Sequence, residues 1–130
     1  MKQIWEKEMK KLITTLLALC LTTTASFSDV KLGIIIGFTG PIESLTPDMA
    51  AGAELAIDEV NKSGSFSMGN VSGIRADSTC IDSSAATAAA ERLITSDKVN
   101  GIMGADCSGV TTAILQQVAL ANGMVMVSPS

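Results

Sequence analysis

From Asp29 onward, apolar and polar positions alternate between two periods. Val30-Lys31-Leu32-Gly33-Ile34-Ile35-Ile36-Gly37-Phe38 is β-branched and near-continuously apolar. Such a run suits a strand buried on both faces. Thr39-Gly40-Pro41 ends it. Thr46 and Pro47 predict a helix start, with Thr46 as cap and proline at the first helical position. Ala53, Ala56, Ile57 and Val60 then share an inward face. Asn61-Lys62-Ser63-Gly64 stops this helix. A mostly polar loop runs from Ser65 to about Ser72. Ile74–Thr79 alternates and reads as a shorter strand, with Val71 as an earlier alternative start. Asp82-Ser83-Ser84 offers a cap for an Ala-rich helix over Ala85–Ser96, with Ala86, Ala89, Ala90, Leu93 and Ile94 inward. Lys98–Gly104 reads as a third strand. Ser108-Gly109 opens a third helix with Val110, Ala113, Ile114, Gln117, Val118 and Ala121 inward, and Asn122-Gly123 ends it. Met124–Val127 is a fourth strand.

The order β-α-β-α-β-α-β predicts an α/β fold: a parallel sheet with helices on both faces, a three-layer α/β/α sandwich. Right-handed crossovers restrict its topology. The last strand has nothing after it to cover Val127. Open sheets of this type usually hold more strands, so the chain reads as a fragment or a truncated gene product, the alternative being a complete small domain.

The first 28 residues break the pattern. Lys2, Lys7, Lys10 and Lys11 stand against Glu6 and Glu8, a balance of +2, which leaves −6 on the remainder of a chain whose net charge is −4. Leu12–Leu21 is apolar but for Thr14 and Thr15, and too short for a membrane span of about 20 residues. Small residues follow, Thr22 to Ser26. Basic, apolar, then small is the order of a secretory signal peptide, so residues 1–28 are assigned to one and residues 29–130 to the mature segment. A buried amphipathic helix is the alternative. Met9-Lys10-Lys11 is a more ordinary start than Met1. Cys20 follows Leu19, not a small residue, so cleavage is expected near Ala25 or Ser28 without lipidation. No membrane insertion is expected after cleavage.

Composition narrows the chemistry. Hydrophobic residues make up 47% and charged residues 17%, which excludes a disordered chain. The chain has no histidine. It therefore cannot build a Ser-His-Asp or Cys-His centre alone. The net negative charge argues against nucleic acid. No phosphate-binding glycine motif is present. Neither a metal nor a cofactor is expected, and Met124 and Met126 read as core. Export would place Cys80 and Cys107 in an oxidising compartment, where a disulfide is favoured over two separate buried thiols. Closing that loop contributes roughly 3–4 kcal/mol on the chain-entropy model.

In open α/β sheets ligands bind at the carboxyl ends of the strands. Here those ends are Phe38–Pro41, Thr79-Cys80, Ala105–Gly109 and Ser128–Ser130. None carries the close carboxylate pair that acid–base catalysis uses. Ser108 sits where a strand turns into a helix. It reads either as a helix cap or as a hydroxyl donor beside free N–H groups, in a site sized for a carboxylate. Cys107 as a nucleophile would need a nearby base or cation, and its neighbour is Asp106. Asp106 reads as a solvated loop acid or as a partner for a ligand ammonium. Asp48, Glu54, Asp58 and Glu59 read as a solvated helix face.

Residues 29–130 resemble the start of the leucine/isoleucine/valine-binding protein family, type I periplasmic substrate-binding proteins of amino-acid ABC transporters. The resemblance rests on Lys31-Leu32-Gly33 through Phe38-Thr39-Gly40-Pro41, Gly52 to Asn61, Asp77-Ser78-Thr79-Cys80, Ala88 to Ile94, Gly104 to Gly109 and Val127-Ser128-Pro129-Ser130. It implies a two-lobed protein with the ligand between the lobes, of which this chain supplies the first part of lobe one. It implies a Cys80–Cys107 disulfide, carboxylate binding at Ser108 and a carbonyl from Ser130 to the ligand ammonium. Leu45 falls where some members place an aromatic wall residue, and Asp106 where leucine-type members are apolar. These departures leave the ligand side chain open. The implied role is non-enzymatic: a periplasmic protein that takes an amino acid or related carboxylate to a membrane permease. A sensory ligand-binding domain on the same fold is the alternative.

Overall fold

The computed structural model describes residues 28–130. The expected signal segment thus lies, but for Ser28, outside the described residues. Strands are β1 (Val30–Ile36), β2 (Val71–Asp77), β3 (Gly101–Gly104) and β4 (Met126–Val127). Helices are α1 (Thr46–Ser63), α2 (Ser83–Thr95) and α3 (Ser108–Ile114), the last continuing as a wider π-helical turn over Leu115–Ala119. The sheet is parallel throughout, in the order β2-β1-β3-β4.

Right-handed crossovers then put α1 on one face and both α2 and α3 on the other. The alternation of side chains along β1 divides accordingly. Ile35 packs with Ala86, Ala90, Leu93, Ile102, Val110 and Ile114. Ile34 and Ile36 pack with Ala50 of α1, flanked by Phe38, Met49 and Met103. The expected three layers are present. Small side chains bring the layers together. A Cβ on Gly33 would lie 2.8 Å from Leu93 Cδ1, so the bare backbone of β1 receives the largest side chain on the inner face of α2.

Several local expectations are corrected. Thr46 is not the cap of α1. Leu45 holds that position without a side-chain hydrogen bond. The Thr46 hydroxyl is fully buried and donates to the Gly37 carbonyl at 3.0 Å. Tying α1 to the end of β1 outcompetes a local cap, because a buried hydroxyl must find an acceptor. Ala56 and Val60 lie on the sheet side of α1 as expected but are exposed, because the groove they line is open, and Ala53 and Ile57 are half-buried. On α3, Gln117 and Ala121 are exposed while Val118 and Ala119 are buried. The π turn explains this shift. Leu120 N–H reaches Leu115 O, five residues back, and the extra residue rotates the following side chains around the axis. β1, β3 and β4 are shorter than their apolar runs, because ladder pairing stops where neighbours stop.

The open side of the sheet is the α1 face of β3 and β4. Met103 pairs in register with Val127, which is 67% exposed. An apolar groove lined by Val30, Leu32, Val60, Phe66 and Met103 runs between α1 and the sheet. Among the described residues, no helix is long and apolar enough to cross a membrane.

Candidate functional site

The strand order reverses direction around β1 and β3, so the crevice at their carboxyl ends is where an open α/β sheet takes ligands. The loops there are locked together by polar contacts. Gly37 N–H donates to Asp106 Oδ2 at 2.9 Å, and the buried Ser78 hydroxyl donates to Asp106 Oδ1 at 3.2 Å. Asp106 is therefore no solvated loop acid. Both its oxygens are held inside the protein, one by the end of β1 and the other by the end of β2. The second tie is the disulfide between Cys80 and Cys107, with Cα atoms 5.2 Å apart. It joins the loops after β2 and β3, and leaves no thiolate for a nucleophilic reading of Cys107.

The β2 corner is built on Asp77. Its carboxylate accepts the Thr39 hydroxyl at 2.6 Å and the Thr79 N–H at 2.8 Å. Burial pushes the Asp77 pKa up. The Thr39 hydroxyl and the backbone N–H groups of Thr79, Thr39 and Phe38 together outweigh it, and the net shift is downward. A carboxyl lowered on folding stabilises the native state above its unfolded value, and that contribution is lost as pH falls through the lowered value. Asp77→Asn is therefore expected to lose less stability than the wild type on acidification below about pH 4. Urea midpoints at a series of acidic pH values check this, and parallel curves would contradict it.

Arg75 of β2 pairs with Glu54 of α1 through two hydrogen bonds, 2.6 and 2.7 Å. Its guanidinium also lies 5.4 Å from the centroid of the Phe38 ring. Glu54 is thus not merely a solvated helix acid. Its hydrogen bond with Arg75 lowers its pKa and raises that of Arg75.

Ser108 is the first residue of α3 and is exposed. The cap position is Cys107, with no side-chain cap bond, so the hydroxyl of Ser108 does not cap the helix. Thr111 N–H closes the first turn on the Cys107 carbonyl at 2.9 Å. Ser130 lies against the same turn, with its Oγ 3.2 Å from Thr111 Oγ1. Ser108 and Ser130, far apart in sequence, thus share the first turn of α3. Leu45 lies apart at the start of α1 and is 61% exposed. It joins the cluster only indirectly, through the neighbouring Thr46 bond to Gly37 and the Gly37 bond to Asp106.

Sequence reasoning missed Thr111, Ser78 and Asp77. Thr111 carried a usable signal: a hydroxyl at helical spacing with the inward residues Ile114 and Val118. Ser78 carried none, because its partner is set by tertiary contact. Among the described residues, no group of three or more Cys, Asp or Glu is placed to hold a metal ion. What the arrangement offers is a ledge of helix-start N–H groups and hydroxyls, suited to holding a small polar solute.

A family model described as periplasmic binding protein matches residues 29–130. The chain belongs to the periplasmic binding protein family. Membership places it among substrate-binding proteins rather than enzymes. One curated relative is the Leu/Ile/Val-binding protein homolog 7 of Brucella melitensis, 34% identical over 113 residues, 86% of this chain and 28% of the relative. The Leu/Ile/Val-binding protein homolog 8 of Brucella abortus is 37% identical over 98 residues, 75% of this chain and 24% of the relative. Among solved structures, the branched-chain amino acid transporter substrate-binding protein LivJ of Streptococcus pneumoniae, in complex with isoleucine, superposes with a TM-score of 0.71 at 26% identity. That match covers 79% of this chain and 29% of LivJ. The leucine-binding protein LivK of Thermotoga maritima gives a TM-score of 0.68 at 28% identity, over 78% of this chain and 27% of its own. The periplasmic binding protein chain described here spans less than a third of the length of these proteins.

Proposed function

We propose that this protein is the extracytoplasmic solute-binding component of an ABC transporter, which holds an amino acid, branched-chain or related, by its α-carboxylate and ammonium. The observation that carries the reading is Ser108. Its hydroxyl is exposed and unused as a cap, at a helix start whose N–H groups and dipole favour a small anion. The names of the relatives support the amino-acid class, and family membership supports a place outside the cytoplasm and a permease partner.

In this mechanism the turn Cys107-Ser108 faces the carboxylate and the Ser128–Ser130 segment faces the ammonium. A second lobe closes over them and removes the ligand from water. The disulfide and the Asp106 contacts hold the donors in place before the ligand arrives, so little ordering remains to oppose binding. Leu45, at the rim, would meet the ligand side chain from the α1 side. Residues 29–130 alone leave Ser108 and Ser130 exposed, and they should bind amino acids weakly.

Calorimetry on the full-length protein with the common L-amino acids tests the proposal. Ser108→Ala should weaken the bound amino acid by about 1–3 kcal/mol, roughly 5- to 150-fold, the cost of losing a hydrogen bond to a charged group. Unchanged affinity would remove Ser108 from the site.

A further inference from the structure

We infer that Ser128 is a positioning residue: it fixes the direction of a hydroxyl relay and so leaves Ser130 Oγ as an acceptor for the ligand ammonium. This deepens the proposed function and rests on it. Ser128 Oγ lies 2.7 Å from the Ala105 carbonyl oxygen. A carbonyl has no proton, and so close an oxygen pair needs one between them, so the Ser128 proton points at Ala105. Ser128 Oγ also lies 2.7 Å from Ser130 Oγ. The Ser128 proton is already committed, so that contact takes the proton of Ser130. The Ser130 N–H adds a third bond to the same Ser128 oxygen, at 3.1 Å. Ser128 thus donates once and accepts twice at 3.1 Å or less, which is the full capacity of a hydroxyl, and Thr111 Oγ1 stands further off at 3.5 Å.

Only lone pairs are left on Ser130 Oγ. Thr111 Oγ1, 3.2 Å away, has acceptors of its own at 3.0 Å in the Ala105 and Cys107 carbonyls. An acceptor without a proton to give repels a carboxylate and attracts an ammonium, which carries three donors and no acceptor. The neighbouring helix start at Ser108 has the opposite character. The relay therefore makes the ledge bipolar, and it ties the sign of the Ser130 pole to a buried carbonyl through one hydroxyl, that of Ser128.

The test pairs two probes that share a carbon skeleton, L-leucine and 4-methylpentanoate, which lacks the ammonium, titrated into the full-length protein. Ser128→Ala frees the Ser130 proton. The affinity for L-leucine is expected to fall about tenfold with that for 4-methylpentanoate unchanged or higher, and Ser128→Thr should restore the wild-type ratio. An equal loss for both probes, or no loss for L-leucine, overturns the role of Ser128 and leaves the carboxylate reading of Ser108 standing. A wild-type protein that binds none of the common L-amino acids overturns both. Should Ser128→Ala fail to fold, neutron diffraction of the wild type decides. A deuterium on Ser130 Oγ directed at Ser128 is expected, and one directed outward overturns the relay.

Discussion

Gly104→Ala is expected to cost at least about 3 kcal/mol of stability, enough to unfold a marginal domain. Gly104 has φ +127°, and an added Cβ would stand 1.9 Å from the Ile35 carbonyl oxygen. That neighbour is backbone. Ile35 pairs in register with Gly104 and is completely buried, so neither strand can yield without breaking the sheet at the crevice. Gly52→Ala is the internal control. Gly52 lies within α1, exposed, with nothing within 4 Å of its added Cβ. There alanine should stabilise by about 0.5–1 kcal/mol through helix propensity. Urea unfolding followed by circular dichroism checks both signs. A wild-type midpoint for Gly104→Ala would contradict the packing described at the end of β3.

Loss of the disulfide has the next largest expected effect. Cys80→Ser combined with Cys107→Ser should cost roughly 3–4 kcal/mol, because the bridge closes a loop between residues 27 apart in sequence. For a domain of this size the midpoint of thermal unfolding should fall by about 12–30 °C. The effect is not only entropic. Thr79 and Cys80 both have positive φ, a conformation that the fold must impose on residues with side chains. Cys107 in turn holds the cap position of α3, so the bridge anchors the helix that carries Ser108. A reductant should reproduce the loss in the wild type and do nothing to the double variant. An unchanged midpoint in the double variant would show that other contacts hold the two loops.

The architecture was legible because it is written locally. β-branched runs of period two and Ala-rich runs of helical period lie in strict alternation, and chirality then arranges them. Asp82 was legible for the same reason: its carboxylate caps α2 through Ser84 and Ala85, two and three residues on. Thr46 was misread by that same local rule, because its acceptor, Gly37, is nine residues away across a turn. Gln117 and Ala121 were misplaced because nothing in the residue pattern announces a π turn. The candidate site divides the same way. Ser108 was singled out from its position where a strand turns into a helix, whereas Ser130 was named only through the family resemblance. The partners of Asp106 are 69 and 28 residues distant, so its part in joining β1, β2 and β3 depends on the assembled sheet. The positive backbone at Gly104 likewise has no signature in the sequence beyond the glycine itself.

In the proposed function a ligand carboxylate docks on the start of α3. This docking is tested most directly by following the backbone amides of the isotopically labelled full-length protein by NMR during an amino-acid titration. The Ser108 and Gly109 N–H resonances should move downfield and saturate together with the calorimetric binding curve. Saturation of binding with those two resonances unmoved, while others shift, would contradict the account.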